Sequence, residues 1–230
     1  MKIRRNLAVI VAAGSGMRMN SELPKQYLEI NGRPILAKTI DCFEKSVVID
    51  EILLVVAEDY LAYASQAIVD RFGFKKISKI ISGGKTRQES VLAGLAAGPP
   101  VTDSVAIHDG VRPFVRGALI EQLFESAKST GAIIPAVLSK ETVKIVDKNL
   151  VKSTVSRDQA YLAQTPQVFD FARILRIHQT AAEQKYEATD DAMLAEQYGM
   201  KVMIIPGYYD NIKITTAEDM ILAEEIARKW

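Results

Sequence analysis

The chain has 230 residues, 48% of them hydrophobic, and its 29 Lys and Arg residues nearly balance 28 Asp and Glu residues, for a net charge of +1. This length suits one domain with a single core, and the charge balance excludes the strongly basic surface typical of sequence-independent nucleic-acid binders. One cysteine excludes an internal disulfide and two histidines leave little for a zinc site, so chemistry must rest mainly on Lys, Arg, Asp, Thr and backbone amides.

The N-terminal apolar run is interpreted as a buried strand and not as a targeting signal. Lys2, Arg4 and Arg5 precede it as in a secretory leader, but the run covers only 7–13 and continues into Gly14 without a typical cleavage site. No stretch approaches the roughly 20 apolar residues that span a bilayer. We therefore expect a cytoplasmic protein with a free thiol and no membrane partner.

Short apolar runs alternate with segments of helical periodicity through the first 140 residues. This alternation predicts an α/β fold with a mainly parallel central sheet and helices on both faces. The predicted strands are 7–12, 52–57, 77–82, 104–108 and 132–137. The predicted helices are 35–45, 61–72, 86–97 and 117–129.

The second half of the chain contains a more polar segment, 141–157, which alternates loosely around a turn at Asp147 and predicts a projecting β-hairpin arm. The residues alone favour a surface hairpin over one that reaches another subunit. Thr216 and Asp219 form a capping-box-like start for the last helix. No linker or repeat interrupts the chain, which predicts a single domain, 1–230. The other predicted elements are helices at 171–183 and 190–198, a strand at 201–205 and an extended segment at 211–215.

A loop of small residues follows the first predicted strand, at a position where open α/β sheets bind ligands. Its backbone N–H groups can approach a phosphate closely, and Arg18 adds a charged donor fork. The loop is not a dinucleotide fingerprint, because Met19 stands where the third glycine belongs. The alternative is a tight turn with an incidental arginine. The loop residues are Ala12, Ala13, Gly14, Ser15 and Gly16.

Two further segments can contribute to the same pocket. Lys25 follows a proline and can reach the same phosphates as Arg18, although an ordinary solvated lysine is the commoner case. Gly84 belongs to a Gly-Gly-Lys-Thr sequence that imitates a P-loop, but Lys79 stands where that motif requires glycine. Gly84 is therefore interpreted as the end of a strand, with Arg87 and Ser90 on the helix that follows.

The most informative segment places Asp109 at the carboxyl edge of a buried strand, three residues before Arg112. A buried acid is costly unless it binds a cation or accepts several hydrogen bonds, so Asp109 either binds Mg²⁺ together with substrate phosphates or forms a salt bridge with Arg112. The neighbouring glycine-rich loop and its cations favour the metal. His108 is expected to be a packed strand residue. Later, Asp210 and Lys213 precede the last helix either as solvated charges or as site residues.

Taken in order, eight motifs between 11 and 215 resemble those of the cytidylyltransferases of isoprenoid biosynthesis. They are Ala-Ala-Gly-x-Gly-x-Arg-Met, Pro-Lys-Gln, Gly-Gly followed by Arg and Ser, His-Asp-x-x-Arg-Pro, Thr-Val-x-Arg, Gln-Thr-Pro-Gln, Thr-Asp-Asp and Asp-Asn-Ile-Lys-Ile-Thr. The resemblance implies a Rossmann-like nucleotidyltransferase domain that transfers CMP from CTP to methylerythritol phosphate, a sugar-alcohol phosphate, with Mg²⁺ as cofactor.

The resemblance also implies roles for individual residues. It assigns Arg18 and Lys25 to the CTP phosphates and the transition state, and Arg157 and Lys213 to positioning the second substrate. It places Asp109 between the metal and the substrate. The cytidine side would be formed by Ala12, Ala13, Gly14, Ser15, Gly16, Gly84, Arg87 and Ser90, and the sugar-phosphate pocket by Asp109, Arg112, Thr142, Thr165, Thr189 and Asp210.

In the family that these motifs resemble, the arm at 141–157 crosses into a partner subunit, so the resemblance implies a homodimer and reverses the preference for a plain surface hairpin. The implied chemistry agrees with the scarcity of His and Cys. A phosphate monoester with a second pKa near 6 is already mostly dianionic at neutral pH and needs no general base. Cations and Mg²⁺ are needed instead, to bring two anions together.

Other activities remain open at this point. A ribitol 5-phosphate cytidylyltransferase shares most of these motifs, although the Asp-Asn-Ile-Lys and Thr-Asp-Asp stretches look more like the methylerythritol branch. A nicotinamide-dependent oxidoreductase is disfavoured by Met19 and by the lack of an acid that convincingly ends the second strand. A catalytically inactive nucleotide-binding protein would not need cations at all the matching positions.

Overall fold

The structure, a computed structural model, describes residues 5–14 and 23–230. The strands are β1 (Asn6–Ala12), β2 (Glu29–Ile30), β3 (Arg33–Pro34), β4 (Glu51–Val56), β5 (Ile77–Ser82), β6 (Ser104–Asp109), β7 (Ala132–Leu138), β8 (Lys144–Asp147), β9 (Leu150–Thr154), β10 (Tyr161–Ala163), β11 (Gln167–Asp170) and β12 (Met203–Pro206). The helices are α1 (Ile35–Glu44), α2 (Leu61–Tyr63), which continues as a π-helix over Ala64–Asp70, α3 (Arg87–Ala96), α4 (Gly117–Thr130), α5 (Phe171–Glu183), α6 (Asp191–Gln197) and α7 (Ala217–Ala227), with 3₁₀ turns at Lys25–Tyr27, Glu58–Tyr60 and Arg157–Gln159.

Eight strands from the described part of the chain form one mixed sheet. Its order is β5-β4-β1-β6-β11-β7-β12, and β10 pairs with β7 on the same side as β11. Strands β1, β4, β5, β6, β7 and β12 run parallel, whereas β10 and β11 run antiparallel to their neighbours. The prediction of a mainly parallel central sheet is therefore confirmed.

The packing of the β1 side chains explains why the sequence of this strand is almost continuously apolar. Ala8 and Ile10 pack into one core with helices α1 and α4, whereas Leu7 and Val9 pack into a second core with α3, α5 and α6. A strand covered on both faces has no polar side to alternate with. Helices on both faces of the sheet were predicted from this pattern, and the two cores confirm them.

A third, smaller core places the segment before α7 beside the end of β6. Ile214 packs against Val111 and Phe114, and its backbone N–H donates to the carbonyl of Val111 at 3.0 Å. Helix α7 begins as predicted, because Thr216 and Asp219 form a capping box. This packing brings the segment at 210–213 to the carboxyl edge of the sheet.

Several elements differ from the prediction. Strands β10 and β11 were not predicted, nor was the small β2–β3 pair. The segment at 211–215, predicted to be extended, has no strand assignment and is held by the Ile214 hydrogen bond instead. These short elements carry too few residues for a periodic pattern, and their positions depend on distant partners.

The predicted hairpin arm at 141–157 is formed by β8 and β9, which pair with each other. Every residue from Lys144 to Thr154 is exposed. Within residues 5–14 and 23–230, no helix is long and apolar enough to cross a membrane.

Candidate active site

A cavity of about 270 Å³ lies at the carboxyl ends of β1 and β6. Loops at this edge of a parallel sheet form the ligand-binding crevice of open α/β folds. The structure thus brings together most of the loops that carry the predicted site residues. The described residues that line the cavity are Val11, Ala12, Ala13, Gly14, Lys25, Gln26, Gly84, Lys85, Thr86, Arg87, Ser90, Asp109, Val111 and Lys213.

The loop around Lys25 is attached to the end of β1 through Gln26. The Gln26 side-chain amide is buried and donates to the carbonyls of Ala12 at 2.7 Å and Gly14 at 3.1 Å. These bonds place Lys25 at the cavity wall. Gln26 had no predicted role, although it is part of the Pro-Lys-Gln motif.

The loop between β5 and α3 meets the first loop at close range. A Cβ atom at Gly83 would come within 2.4 Å of the Ala13 Cβ atom, so only glycine fits there. The backbone N–H of Gly84 donates to Ser90 Oγ at 3.1 Å. Thr86 caps helix α3 in a capping box. The prediction that Gly84 ends a strand and that Arg87 and Ser90 follow on a helix is confirmed.

Asp109 is the centre of charge in the cavity. It is 6% exposed, and described residues supply three cationic partners: Arg87 Nε lies 3.0 Å from Oδ1, while Lys213 Nζ and Arg112 Nε lie 3.0 and 3.3 Å from Oδ2. Burial opposes ionisation of Asp109, but the charges of Arg87, Lys213 and Arg112 outweigh it and hold its pKa well below the usual range. Asp109 is therefore a carboxylate at neutral pH.

The donor set around Asp109 is compatible with one kind of metal site. Within the described ranges, no group of three or more His, Cys, Asp or Glu side chains is arranged to hold a metal ion. Magnesium, however, is commonly held by one or two carboxylates together with substrate phosphates and water. Each carboxylate oxygen has two acceptor sites, and Arg87 Nε uses one of those on Oδ1. Asp109 therefore fits a Mg²⁺ whose other ligands come from phosphate.

His108 is a packed strand residue, as expected. Its Nε2 donates to the carbonyl of Arg112 at 3.1 Å, and its Nδ1 accepts from Thr165 Oγ1 at 2.9 Å. Burial lowers its pKa to about 3, so the ring stays neutral. Thr165 Oγ1 in turn accepts from the Asp109 backbone N–H at 3.1 Å. In the described structure Thr165 thus contacts the site through the Asp109 backbone.

Asn211 connects the loop before α7 to the same site. It is fully buried, its carbonyl accepts from Arg112 Nη1 at 2.9 Å, and its Nδ2 donates to the Thr165 carbonyl at 3.0 Å. Two residues later, Lys213 reaches Asp109. Asn211 belongs to a motif that was recognised, but an asparagine in a loop gave no signal of this role.

Other predicted site residues lie apart from the described cavity lining. Asp210 forms an ion pair with Arg116 at 2.5 Å, and Thr189 is exposed. Thr142 and Arg157 lie at the base of the arm, exposed and 3.4 Å from each other. Their roles stay predictions, as do those of Ser15, Gly16 and Arg18, which lie outside the described residues.

Asp191 is a site-associated residue that the prediction missed. It is 1% exposed, and its Oδ2 lies 2.8 Å from Arg87 Nη2. The second acid of the Thr-Asp-Asp motif was the available signal. An acid at the first position of a helix is usually explained by the helix terminus alone, which concealed its contact with Arg87.

A Rossmann-like sheet with a glycine-lined, cation-rich cavity at its carboxyl edge is the arrangement expected of a nucleotide-binding enzyme. The chain belongs to the family of 2-C-methyl-D-erythritol 4-phosphate cytidylyltransferases (IspD), whose sequence model matches residues 6–229. The resemblance recognised from the motifs is confirmed.

Individual relatives cover nearly the full chain. The 2-C-methyl-D-erythritol 4-phosphate cytidylyltransferase of Geobacter metallireducens is 42% identical over 225 residues, which is 96% of this chain and 97% of the relative. That of Clostridium botulinum strain Loch Maree is 43% identical and covers 98% of both chains. The crystal structure of 4-diphosphocytidyl-2C-methyl-D-erythritol synthase from Anaerococcus prevotii matches with a TM-score of 0.88 at 36% identity, over 98% of this chain and 96% of that one.

Proposed function

We propose that the chain transfers CMP from CTP to 2-C-methyl-D-erythritol 4-phosphate, giving 4-diphosphocytidyl-2-C-methyl-D-erythritol and pyrophosphate, in the non-mevalonate isoprenoid pathway. The observation that carries this proposal is the cluster of Asp109, Arg87, Arg112 and Lys213 at the cavity, in a chain of this family. Family membership favours neither ribitol 5-phosphate as substrate nor nicotinamide-dependent oxidation.

The transfer requires no proton abstraction. An oxygen of the methylerythritol phosphate attacks the α-phosphorus of CTP, the new P–O bond forms, and the bond to the β-phosphate oxygen breaks with its electron pair leaving on pyrophosphate. The attacking phosphate is mostly dianionic at neutral pH, because its second pKa is near 6. The described cavity lining contains no histidine or cysteine, and neutral, buried His108 is engaged on both ring nitrogens. Both facts suit a site without a general base.

Fixed cations supply the electrostatic part of this mechanism. Lys25 and Lys213 both line the cavity, and the Lys213 side chain is 38% exposed, so its ammonium can reach a ligand while Asp109 holds it. Preorganised charges of this kind stabilise the charge that builds on the α-phosphate and on the leaving pyrophosphate. We assign Arg18 to the same phosphates on the strength of its motif.

The same proposal includes Mg²⁺, with Asp109 as its protein ligand. When bound, the ion would neutralise triphosphate charge and help to hold the phosphates. Asp109 also pairs with Lys213 and Arg87, so one carboxylate would align the metal and two cations around the same phosphates.

We further propose that the protein is a cytoplasmic homodimer in which the arm of each subunit reaches the cavity of the other. The arm bears exposed apolar side chains on both strands, including Ile145 and Leu150. Exposed apolar patches of this kind mark interfaces. Exposed apolar side chains also lie on β10 and β12, including Leu162 and Met203, which are both more than half exposed. The dimer would bring Thr142 and Arg157 to a partner cavity. The cytoplasmic location rests on the free thiol of the only cysteine.

The direct test of the activity is pyrophosphate release with CTP and Mg²⁺. We expect turnover with 2-C-methyl-D-erythritol 4-phosphate and at least tenfold lower kcat/KM with ribitol 5-phosphate, because a site built to bind one set of hydroxyl groups leaves polar groups unpaired with another. Equal or better turnover of ribitol 5-phosphate would contradict the substrate assignment. Binding of NADH, measured in parallel, would instead support an oxidoreductase.

Subunit mixing tests the shared site. Arg157→Ala removes an arm cation and Lys213→Ala removes a cavity cation, so a mixed dimer would contain one site without either change. Equal amounts of the two variants, after denaturation and refolding together, should recover about a quarter of wild-type activity. A mixture no more active than its separate components would show that each site uses the arm of its own subunit.

A further inference from the structure

A buried chain of charged and polar groups runs from helix α5 to the cavity. His178 on α5 donates from Nε2 to Asp191 Oδ1 at 3.1 Å, and Asp191 Oδ2 lies 2.8 Å from Arg87 Nη2. Arg87 Nε lies 3.0 Å from Asp109 Oδ1. Arg87 is thus held between two carboxylates, one at the cavity and one behind it.

Asp191 is a charge that the interior must stabilise. Its burial opposes ionisation, but Arg87 and His178 outweigh that effect and lower its pKa. It is also the first residue of α6, where the helix N-terminus favours negative charge. Asp191 therefore stays ionised and attracts the Arg87 guanidinium from the side opposite to Asp109.

His178 fixes the orientation of Asp191. The ring is 1% exposed, and its Nδ1 has no hydrogen-bond partner among residues 5–14 and 23–230. His178 thus holds one oxygen of the Asp191 carboxylate, Oδ1, while the other oxygen, Oδ2, faces Arg87.

We propose that Asp191 and His178 are positioning residues for the nucleotide site. Neither lines the described part of the cavity, so both act through Arg87. Arg87 Nε donates a hydrogen bond to Asp109 and its Nη2 forms an ion pair with Asp191, so the guanidinium lies between two negative charges, and the correctly placed Arg87 in turn orients the Asp109 carboxylate to which Lys213 binds. His178 prevents Asp191 from rotating away from Arg87. The catalytic part of this inference rests on the proposed function, but the effect on CTP binding does not.

The first test compares three variants on or near α5. His178→Leu removes the Nε2 donor at similar volume and His178→Gln keeps a side-chain donor. Ile174→Val destabilises the same helix and leaves the hydrogen bonds and ion pairs of the buried chain in place. We expect His178→Leu to lower kcat/KM for CTP about tenfold, as for a lost hydrogen bond to a charged group. His178→Gln should recover most of that loss. Ile174→Val should lower Tm and leave kcat/KM for CTP within about twofold.

A double variant separates positioning from general destabilisation. If His178 acts through Asp191, Asp191→Asn combined with His178→Leu should be no worse than Asp191→Asn alone, because the two residues form one unit. Additive losses would overturn the inference. Wild-type kcat/KM in His178→Leu would also overturn it. The same holds if kcat/KM falls in both His178→Leu and Ile174→Val in proportion to their loss of Tm. If His178→Leu does not fold, the test is made by comparing kcat/KM for CTP between Asp191→Asn and the wild type.

The rise in Tm caused by CTP and Mg²⁺ measures nucleotide binding without turnover. It should be smaller in Asp191→Asn than in the wild type, and an unchanged rise would overturn the positioning role. If CTP stabilises the wild-type protein but no pyrophosphate is released, the proposed function is contradicted. The comparison of Tm between the wild type and Asp191→Asn then still tests the positioning role.

Discussion

The cavity and the arm use the same kinds of residue under opposite conditions. At the cavity, Asp109 and Arg112 are largely buried, Arg87 and Lys213 are partly buried, and these four residues belong to three separate segments of one chain. On the arm, Lys152 and Asp147 pair across the hairpin at 2.7 Å with side chains 62% and 52% exposed. The distances are alike, but water screens the charges of the arm pair much more than those of the cavity cluster. Buried charges therefore fix the geometry of the site, whereas the arm needs another surface against which its exposed apolar side chains can pack.

Removal of a cavity cation is expected to have the largest effect. Lys213→Ala and Lys25→Ala should each lower kcat/KM by roughly 100-fold or more, because each removes a preorganised charge at the reacting centre. Lys201→Ala, at an exposed site, is the matched control and should keep wild-type kinetics. Steady-state pyrophosphate release measures the effect. Wild-type rates in both folded cavity variants would contradict the assignment of these lysines.

Disruption of the arm should have a smaller, concentration-dependent effect. Leu150→Asp places a charge on an exposed apolar position of the hairpin, 74% exposed. It should shift the protein to monomer in sedimentation experiments and lower activity about tenfold at submicromolar protein, since a desolvated charge disfavours an apolar contact. Val47→Asp, at an 84% exposed position outside the arm, should remain dimeric. A Leu150→Asp dimer with full activity would exclude this face of the arm from the interface.

The two regions also differ in how well the amino-acid sequence predicts them. Strands β1, β4 and β6 are almost continuously apolar because both of their faces are covered, and this pattern identified the sheet. Strand β11 has four residues, and its place between β6 and β7 depends on partners distant in sequence. The same limit applies to the site: Asp109 and Arg112 are close in sequence and their pairing was considered, but the partnership of Arg87 with Asp191 spans a hundred residues.

Acid should weaken the interior beside the cavity, because buried groups there have lowered pKa values. The folded-state pKa of His108 is about 3, below its ordinary value near 6.5, so between these values the unfolded chain binds a proton that the folded chain does not. The contribution of His108 to stability is therefore intact above about pH 6.5 and is lost as pH falls, by about 1.4 kcal/mol per pH unit. The lowered pKa values of Asp109 and Asp191 act at lower pH, below about 4.

Urea unfolding at pH 6.5 and pH 5.0 measures this slope. His108 should lower the free energy of unfolding of the wild type by about 1.7 kcal/mol over this interval. His108→Gln, which keeps one donor and one acceptor, should show a clearly smaller change whatever its stability at pH 6.5. Equal slopes in the two proteins would show that His108 is not the group that titrates.

The smallest effect is expected at the exposed ion pair of the arm, between Lys152 and Asp147. Lys152→Ala removes the partner of Asp147, but an exposed pair contributes about 0–1 kcal/mol because solvent screens the charges and ordering two long side chains costs entropy. The unfolding free energy should therefore change by less than about 0.5 kcal/mol in moderate salt. A loss of 2 kcal/mol or more, measured by urea unfolding, would mean that the partner subunit buries this pair, and the arm would then be organised by charge in the same way as the cavity.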